Sequence, residues 1–314
     1  MKYSKEALSI DKQIELLQKR ELSIGCLIRA EKYLQNVSYY RLSGYMFHLQ
    51  TKTGDTKFLA GTTFEDIINL YTFDKNLRRI FLEYLERIEV SFRTKIINTY
   101  SNQYGFYWYN NDSYFLNKNE LRDEKEEILG YQNYVLDSIR VSLKDPKEQF
   151  LRAFKLKYTS EILPPENMSF EVLSFGKLIK LYTCLKNDEY KNSIAKNFKL
   201  PNGKSLVNWL LFLNDVRNVC AHHSRLWNRK FTANKLSFPS RDKHKIMGNI
   251  PEKANSNVYG AIIAINNLLN TFNISNSFTD KIEELVKTHQ IKVSNLGFPE
   301  DWEKRAPWKI EYLS

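Results

Sequence analysis

The segment LRRIFLEYLERIEVSFRTKI, residues 77–96, decides the fold class. Its apolar members Leu77, Phe81, Tyr84, Leu85, Ile88, Phe92 and Ile96 recur at spacings of three and four. A helix places them on one stripe turned toward a core. The opposite face alternates in sign. Arg79 with Glu83, Glu83 with Arg87, and Glu89 with Arg93 are i, i+4 neighbours, the pattern of solvated ion pairs worth roughly 0.2–0.5 kcal/mol each.

Outward from this stripe the helical period persists in both directions. Upstream, Thr63 opens the amphipathic stretch, residues 51–61 (TKTGDTKFLAG) read as a loop or a small hairpin, and residues 37–45 (VSYYRLSGY) are rich in aromatics. Asp11 is placed to cap a short helix through Gln18, and Ser23 a second through Leu34. Downstream, the aromatic patch at 104–109 (YGFYWY) and Asn110-Asn111-Asp112 read as a helix exit and loop. Such rings can stack on unpaired bases, but anchoring of core and loop is the reading adopted.

Further helices are expected over about 118–143, 146–158 and 169–185, with Pro164-Pro165 breaking the chain between the last two. Pro201-Asn202-Gly203 is a turn, after which Leu206, Leu210, Leu213, Val216 and Cys220 form a second apolar stripe. Beyond Trp227 the chain is basic and irregular to about Pro251. Val258, Ile262, Ile265 and Leu269 then mark another core helix, and a last one over 279–288 precedes a tail with Trp302 and Trp308. Almost nothing alternates with a period of two, so the expected class is all-α: a helical bundle with additional N- and C-terminal helices. The expected division is an N-terminal helical segment (1–60), a helical core (61–274), and a C-terminal helix and tail (275–314).

Composition narrows the function classes. With 42% hydrophobic residues in a chain of 314, disorder is excluded and a sizeable core is available. The longest apolar run, around 261–265, falls far short of the roughly 18 residues a span requires, and Met1-Lys2-Tyr3-Ser4 opens no signal-peptide pattern. A cytoplasmic protein with no membrane partner is therefore expected. Cys26, Cys184 and Cys220 are too scattered for a disulfide framework or a zinc site and are expected as buried thiols. The net charge of +11 is concentrated. Residues 191–251 hold twelve Lys and Arg against two acids, Asp215 and Asp242, and the rest of the chain is nearly neutral. A localised positive excess points to a polyanion.

That excess surrounds residues 214–229, NDVRNVCAHHSRLWNR. A guanidinium can hold a phosphodiester bidentately and offset charge growing in a transition state, and an imidazole titrating near neutrality can move a proton. RNA cleavage is the leading expectation, with Arg217, His222 and Asn218 as catalytic candidates. His223, Arg225, Arg229, Lys230, Lys235, Arg241, Lys243 and Lys245 are the candidates for binding RNA, with Arg87 and Arg93 as further contacts. Five residues span about 140° of a straight helix, so Arg217 and His222 share a site only if the helix ends near Ala221 or the arginine reaches sideways. Asn218 and His222 are i, i+4 neighbours, which would let the amide fix one imidazole tautomer. Arg225, eight after Arg217, returns to the same side if the helix continues. The duller account pairs Arg217 with a buried acid and satisfies both histidines with helix-end carbonyls. No metal or cofactor is expected, because His222 and His223 point apart on a helix and no carboxylate–histidine cluster accompanies them.

Residues 217–229 resemble the signature of the Abi-like abortive-infection proteins of bacteria, of the AbiD/AbiF type. The resemblance covers most of the chain: VSYYRLSGY (37–45), YTFDKNL (71–77), RIEVSFRT (87–94) and Ser174-Phe175-Gly176 match further blocks in the same order. This family is similar to the HEPN superfamily, whose members are all-α and carry an arginine followed, four to six residues later, by a histidine. The resemblance implies a toxin-like, antiphage, metal-independent endoribonuclease that uses the RNA 2′-hydroxyl as nucleophile and leaves a cyclic phosphate and a 5′-hydroxyl. His222 would be acid or base and Arg217 the phosphate clamp, while His223 also satisfies the spacing. Arg41 with His48 meets the loosest spacing but sits in a different block and is set aside. One motif per chain implies a homodimer, and the resemblance also implies a structured non-coding RNA partner. Two other classes remain open: a non-catalytic HEPN-like protein gripping structured RNA through Arg225, Arg229, Lys230 and the basic run to Lys245, and a helical scaffold without RNA.

Overall fold

The computed structural model of the chain describes residues 6–52, 54–120, 126–237, 252–273, 275–305 and 307–308. Among these residues twelve α-helices form: α1 (Ile10–Lys19), α2 (Leu27–Val37), α3 (Tyr39–Met46), α4 (Phe64–Tyr104), α5 (Tyr131–Lys144), α6 (Gln149–Lys157), α7 (Glu166–Ser169), α8 (Phe175–Cys184), α9 (Glu189–Asn197), α10 (Gly203–Ala221), α11 (Val258–Leu269) and α12 (Phe278–His289). Short 3-10 turns join several of them, and only isolated β-bridges occur among the described residues. The fold is all-α, as the periodicity predicts.

The central rod is α4, 41 residues long and so roughly 60 Å at 1.5 Å per residue. It starts in a capping box. The Asp66 N–H donates to Thr63 Oγ1 (3.2 Å), and the Thr63 N–H donates to Asp66 Oδ2 (2.8 Å), which satisfies two of the orphan donors of a helix N-terminus. The stripe Leu77, Phe81, Tyr84, Leu85, Ile88, Phe92 and Ile96 is wholly buried. Against α4 pack α3, α8, α9, α10, α11 and α12. The α12 seam is aromatic, with the Phe278 ring 5.7 Å from Phe81 and 4.9 Å from Tyr84. The second predicted stripe, Leu206 through Cys220, is buried along α10, and Val258, Ile262, Ile265 and Leu269 are buried on α11.

Several boundaries differ from expectation for local reasons. Ser9, not Asp11, caps α1 by accepting the Lys12 N–H at 3.4 Å. Ser23 caps nothing: its backbone is spent on Thr62 and Phe64 (3.1 and 2.8 Å), so α2 starts later, after Cys26. That places the Cys26 thiol at an exposed helix entry rather than in the core, whereas Cys184 and Cys220 are buried as expected. The helix expected over 118–143 is 3-10 at 118–120 and 126–130 and α-helical only from Tyr131. Helix α9 was not anticipated, because its sequence is polar. Asp188 caps it by accepting the Lys191 N–H at 2.7 Å, and Ile194 and Ala195 are its only buried apolar residues. The loop at 51–61 is closed like a small hairpin, with the Thr51 N–H on the Lys57 carbonyl and the Leu59 N–H on the Leu49 carbonyl, both 2.8 Å. In the aromatic patch, Trp108 and Tyr109 are core anchors while Phe106 and Tyr107 stay exposed. No helix among the described residues is long and apolar enough to cross a membrane.

Candidate active site

Helix α10 carries its buried stripe to Cys220 and stops at Ala221. Its end is a Schellman cap. The Ser224 N–H donates to the Val219 carbonyl (2.9 Å) and the His223 N–H to the Cys220 carbonyl (3.1 Å), with His223 left-handed at φ +56°. The helix therefore ends where the first of the two sequence alternatives requires. His222 is the C-cap residue, and both imidazoles stand exposed at the end of the rod.

Arg217, one turn back, is half-buried on the side of α10 that faces α4. Among the described residues its guanidinium makes no hydrogen bond or ion pair. Its charge acts on Glu89 of α4: burial pushes that carboxyl up, while Arg217 and then Arg93 pull it down. Glu89 accepts from Arg93 at 3.4 Å, and Arg93 reaches Glu171 at 3.2 Å. The Glu89–Arg93 pair, expected on a solvated face, is only 16% and 12% exposed. Arg87 keeps the surface role, paired with Glu83 at 3.0 Å. Glu89 thus joins the candidate site beside Arg217, where the sequence reading did not place it. The signal was its i+4 arginine inside a block of the family resemblance, and helical periodicity alone assigned it to water.

The turn after the cap is held from below. Asp74 of α4, fully buried, accepts the Leu226 and Trp227 N–H groups on Oδ1 (3.0 and 2.6 Å) and the Tyr45 hydroxyl on Oδ2 (2.6 Å), and it pairs with Arg78. Burial pushes this carboxyl up, and Arg78, Tyr45 and the two backbone donors pull it back. From α3, Arg41 donates to the His223 carbonyl at 2.6 Å. Arg225 donates to the Gly44 carbonyl. The His48 ring packs edge-on to Trp227 (centroids 4.5 Å apart) with Nε2 3.0 Å from the Asn228 amide. Burial, then the Arg225 charge, lower its basicity. Arg41 and His48, set aside on spacing, are therefore neighbours of the Arg-His stretch.

The candidates divide accordingly. Arg217, Asn218, His222 and His223 gather at the end of α10. Asn218 does not hold an imidazole through its amide; its backbone carbonyl accepts the His222 N–H at 2.9 Å. Arg225 does not return to the Arg217 side, because the helix has ended, and it points inward to Gly44. Arg229 donates to the Arg225 carbonyl at 3.3 Å and lies over the Phe231 ring. Lys230 and Lys235 are exposed. Arg241, Lys243 and Lys245 lie outside the described residues. Cys220, in the middle of the motif, is no nucleophile at neutral pH, since burial pushes its thiol up to about 12.

Three blocks of sequence far apart in the chain thus meet at the turn after α10: Arg41, Gly44 and Tyr45 from α3, Asp74 from α4, and residues 223–228. The fourth block, with Glu89, lies fifteen residues and so roughly 22 Å farther along α4, beside Arg217. Among comparisons with known proteins, the family described as Abi-like protein matches residues 32–228, a span that takes in the α3 and α4 blocks and nearly all of the Arg-His stretch. No curated protein and no solved structure matches the chain. With nearly two-thirds of its length inside that one match, the chain belongs to the Abi-like protein family.

Proposed function

We propose that this Abi-like protein acts in abortive infection as a metal-independent endoribonuclease of the HEPN type, working in the cytoplasm as a homodimer. One observation carries the reading. Near the end of α10 stands an arginine whose guanidinium makes no hydrogen bond or ion pair among the described residues, and two exposed imidazoles follow five and six residues later, on a turn anchored by a buried carboxylate. In the proposed reaction an imidazole takes the 2′-hydroxyl proton, the O2′–P bond forms, and the P–O5′ bond breaks. A second imidazole returns a proton to O5′, giving a 2′,3′-cyclic phosphate and a 5′-hydroxyl. Arg217 binds the non-bridging oxygens, where charge grows. His222 and His223 both have the required exposure. Copies facing across a two-fold axis would supply the acid and base from different chains.

The test is cleavage of RNA in buffer containing a chelator. Arg217→Ala and His222→Ala should each lower the rate by roughly 10²–10⁴-fold without changing fold or dimer. Equal cleavage by wild type and both variants refutes the reading. The binding-only alternative draws support from exposed Lys230 and Lys235 flanking the turn. It requires tight, steeply salt-dependent RNA binding with no cleaved product.

A further inference from the structure

Helices α5, α8 and α10 border a cleft of about 1020 Å³, at the upper end of the roughly 300–1,000 Å³ typical of ligand sites. Ser174 and Gly176, from the family-like block without a role at the Arg-His turn, are in its wall. The lining holds five lysines against three carboxylates, but these groups are not equivalent. Lys186 is paired with Glu120 at 3.0 Å. Lys191 is buried and gives its ammonium protons to the Thr183 and Leu185 carbonyls (3.0 and 2.8 Å), and Asp188 caps α9. Lys177 and Lys180 differ: among the described residues neither has a carboxylate partner. Lys180 Nζ lies 4.9 Å from the Tyr131 ring centroid and 4.5 Å from that of Tyr134, and Lys177 Nζ lies 5.9 Å from Tyr134. Tyr134 remains 48% exposed. Ammonium groups without a carboxylate partner among the described residues, set beside a half-exposed tyrosine ring, are the chemistry that holds a nucleotide, phosphate on the cations and base against the ring.

The cleft also points somewhere. Its floor on α10 includes Asn208, Leu211 and Asn214. Asn214, Asn218 and His222 follow at four-residue steps, each about 6 Å farther along the axis and 40° round it. The polar stripe that leaves the cleft at Asn214 therefore arrives about 12 Å later at the exposed imidazole. A duplex cannot present a base face to Tyr134, because its bases are paired and stacked; an unpaired strand can.

Resting on the ribonuclease reading, we propose that this cleft is a binding track for single-stranded RNA. It seats a base on Tyr134 with flanking phosphates on Lys177 and Lys180, and leads the strand along Asn214 and Asn218 to Arg217 and His222.

The experiment measures binding by fluorescence anisotropy in the full-length Arg217→Ala protein, where the strand stays intact. The probes are a short unstructured RNA, the same sequence as a duplex, and adenosine monophosphate. Tyr134→Ala should weaken single-strand binding roughly tenfold and Tyr134→Phe should not. Lys177→Met with Lys180→Met should flatten the slope of log affinity against log salt by about 1.4, two phosphates at about 0.7 each. All three side chains are at least partly exposed, so the variants should melt as the parent does. Unchanged affinity and slope in folded variants overturn the track, as does duplex binding equal to single-strand binding. Full affinity for the mononucleotide overturns it in favour of a nucleotide pocket. Wild-type cleavage alongside inert cleft variants sinks the track and leaves the nuclease standing. Cleft-dependent binding without cleavage does the reverse.

Discussion

His223→Gly should make the protein more stable, and that outcome separates what the turn needs from what the ring is for. The residue sits at φ +56° in the position of a Schellman cap that glycine fills most often. The left-handed conformation costs a residue with a Cβ roughly 1–2 kcal/mol, and glycine gives back about 0.5–1 kcal/mol through its freer unfolded chain. The net gain is about 0.5–1 kcal/mol, or 1–2 °C in Tm for a chain of this length. The interactions that fix the turn survive, because Arg41 binds the His223 carbonyl and the cap uses its N–H. Among the described residues the imidazole has no hydrogen bond to lose. Urea melts at constant m-value give the stability, and RNA cleavage gives the function. If His223 serves RNA, cleavage falls as stability rises; if His222 alone serves, cleavage is unchanged. His222→Gly, at φ −86°, gains nothing from glycine and provides the control. A His223→Gly protein less stable than wild type would refute the reasoning, by showing that the ring itself holds the turn.

Two other perturbations test the supports of the site. Asp74→Ala strands the Tyr45 hydroxyl, the Arg78 guanidinium and the Leu226 and Trp227 N–H groups; it should cost about 3–5 kcal/mol in a denaturant melt and abolish cleavage, and a loss below about 1 kcal/mol would remove Asp74 as the anchor. Glu166, fully buried, has no hydrogen-bond partner for either carboxyl oxygen among the described residues, and burial pushes its carboxyl from 4.5 up to about 9. Between those values the folded state holds a proton that the unfolded state has released, so stability falls as pH rises from 4.5 to 9 and levels off above. Glu166→Gln should flatten that limb and be more stable than wild type at pH 8, and parallel wild-type and variant profiles of urea midpoint against pH would contradict it.

The long helices were legible because burial imposes a period. Residues of α4, α10 and α11 that recur at three and four are those with no exposure, and no competing pattern overlies them. Where burial is slight the pattern fades. Helix α9 sends only Ile194, Ala195 and Lys191 inward, too few to register. The 118–143 region carries helical composition, but its first part turns tightly as 3-10 before α5 begins. Ser23 shows a different limit: a good capping residue in sequence was recruited by Thr62 and Phe64 across forty positions of chain, and nothing local announces such a pairing.

The site follows the same division. Chemistry-bearing side chains of one short segment were visible together, since Arg217, His222 and His223 lie within seven residues. The parts supplied at long range were not. Asp74 reads as one acid among many on a helix, and its role depends on receiving backbone N–H groups from 152 and 153 residues away. Those donors carry no side-chain signature, so no residue pattern foretells them. Glu89 reads as solvated because an i, i+4 carboxylate–arginine pair usually is, yet the pair is largely buried and Arg217 of α10 adds a third charge to it. Three charged groups on two core helices cost desolvation that apolar residues would avoid. Together with a histidine in the left-handed position that glycine usually fills, they are the local departures from folding economy that the proposed site would account for.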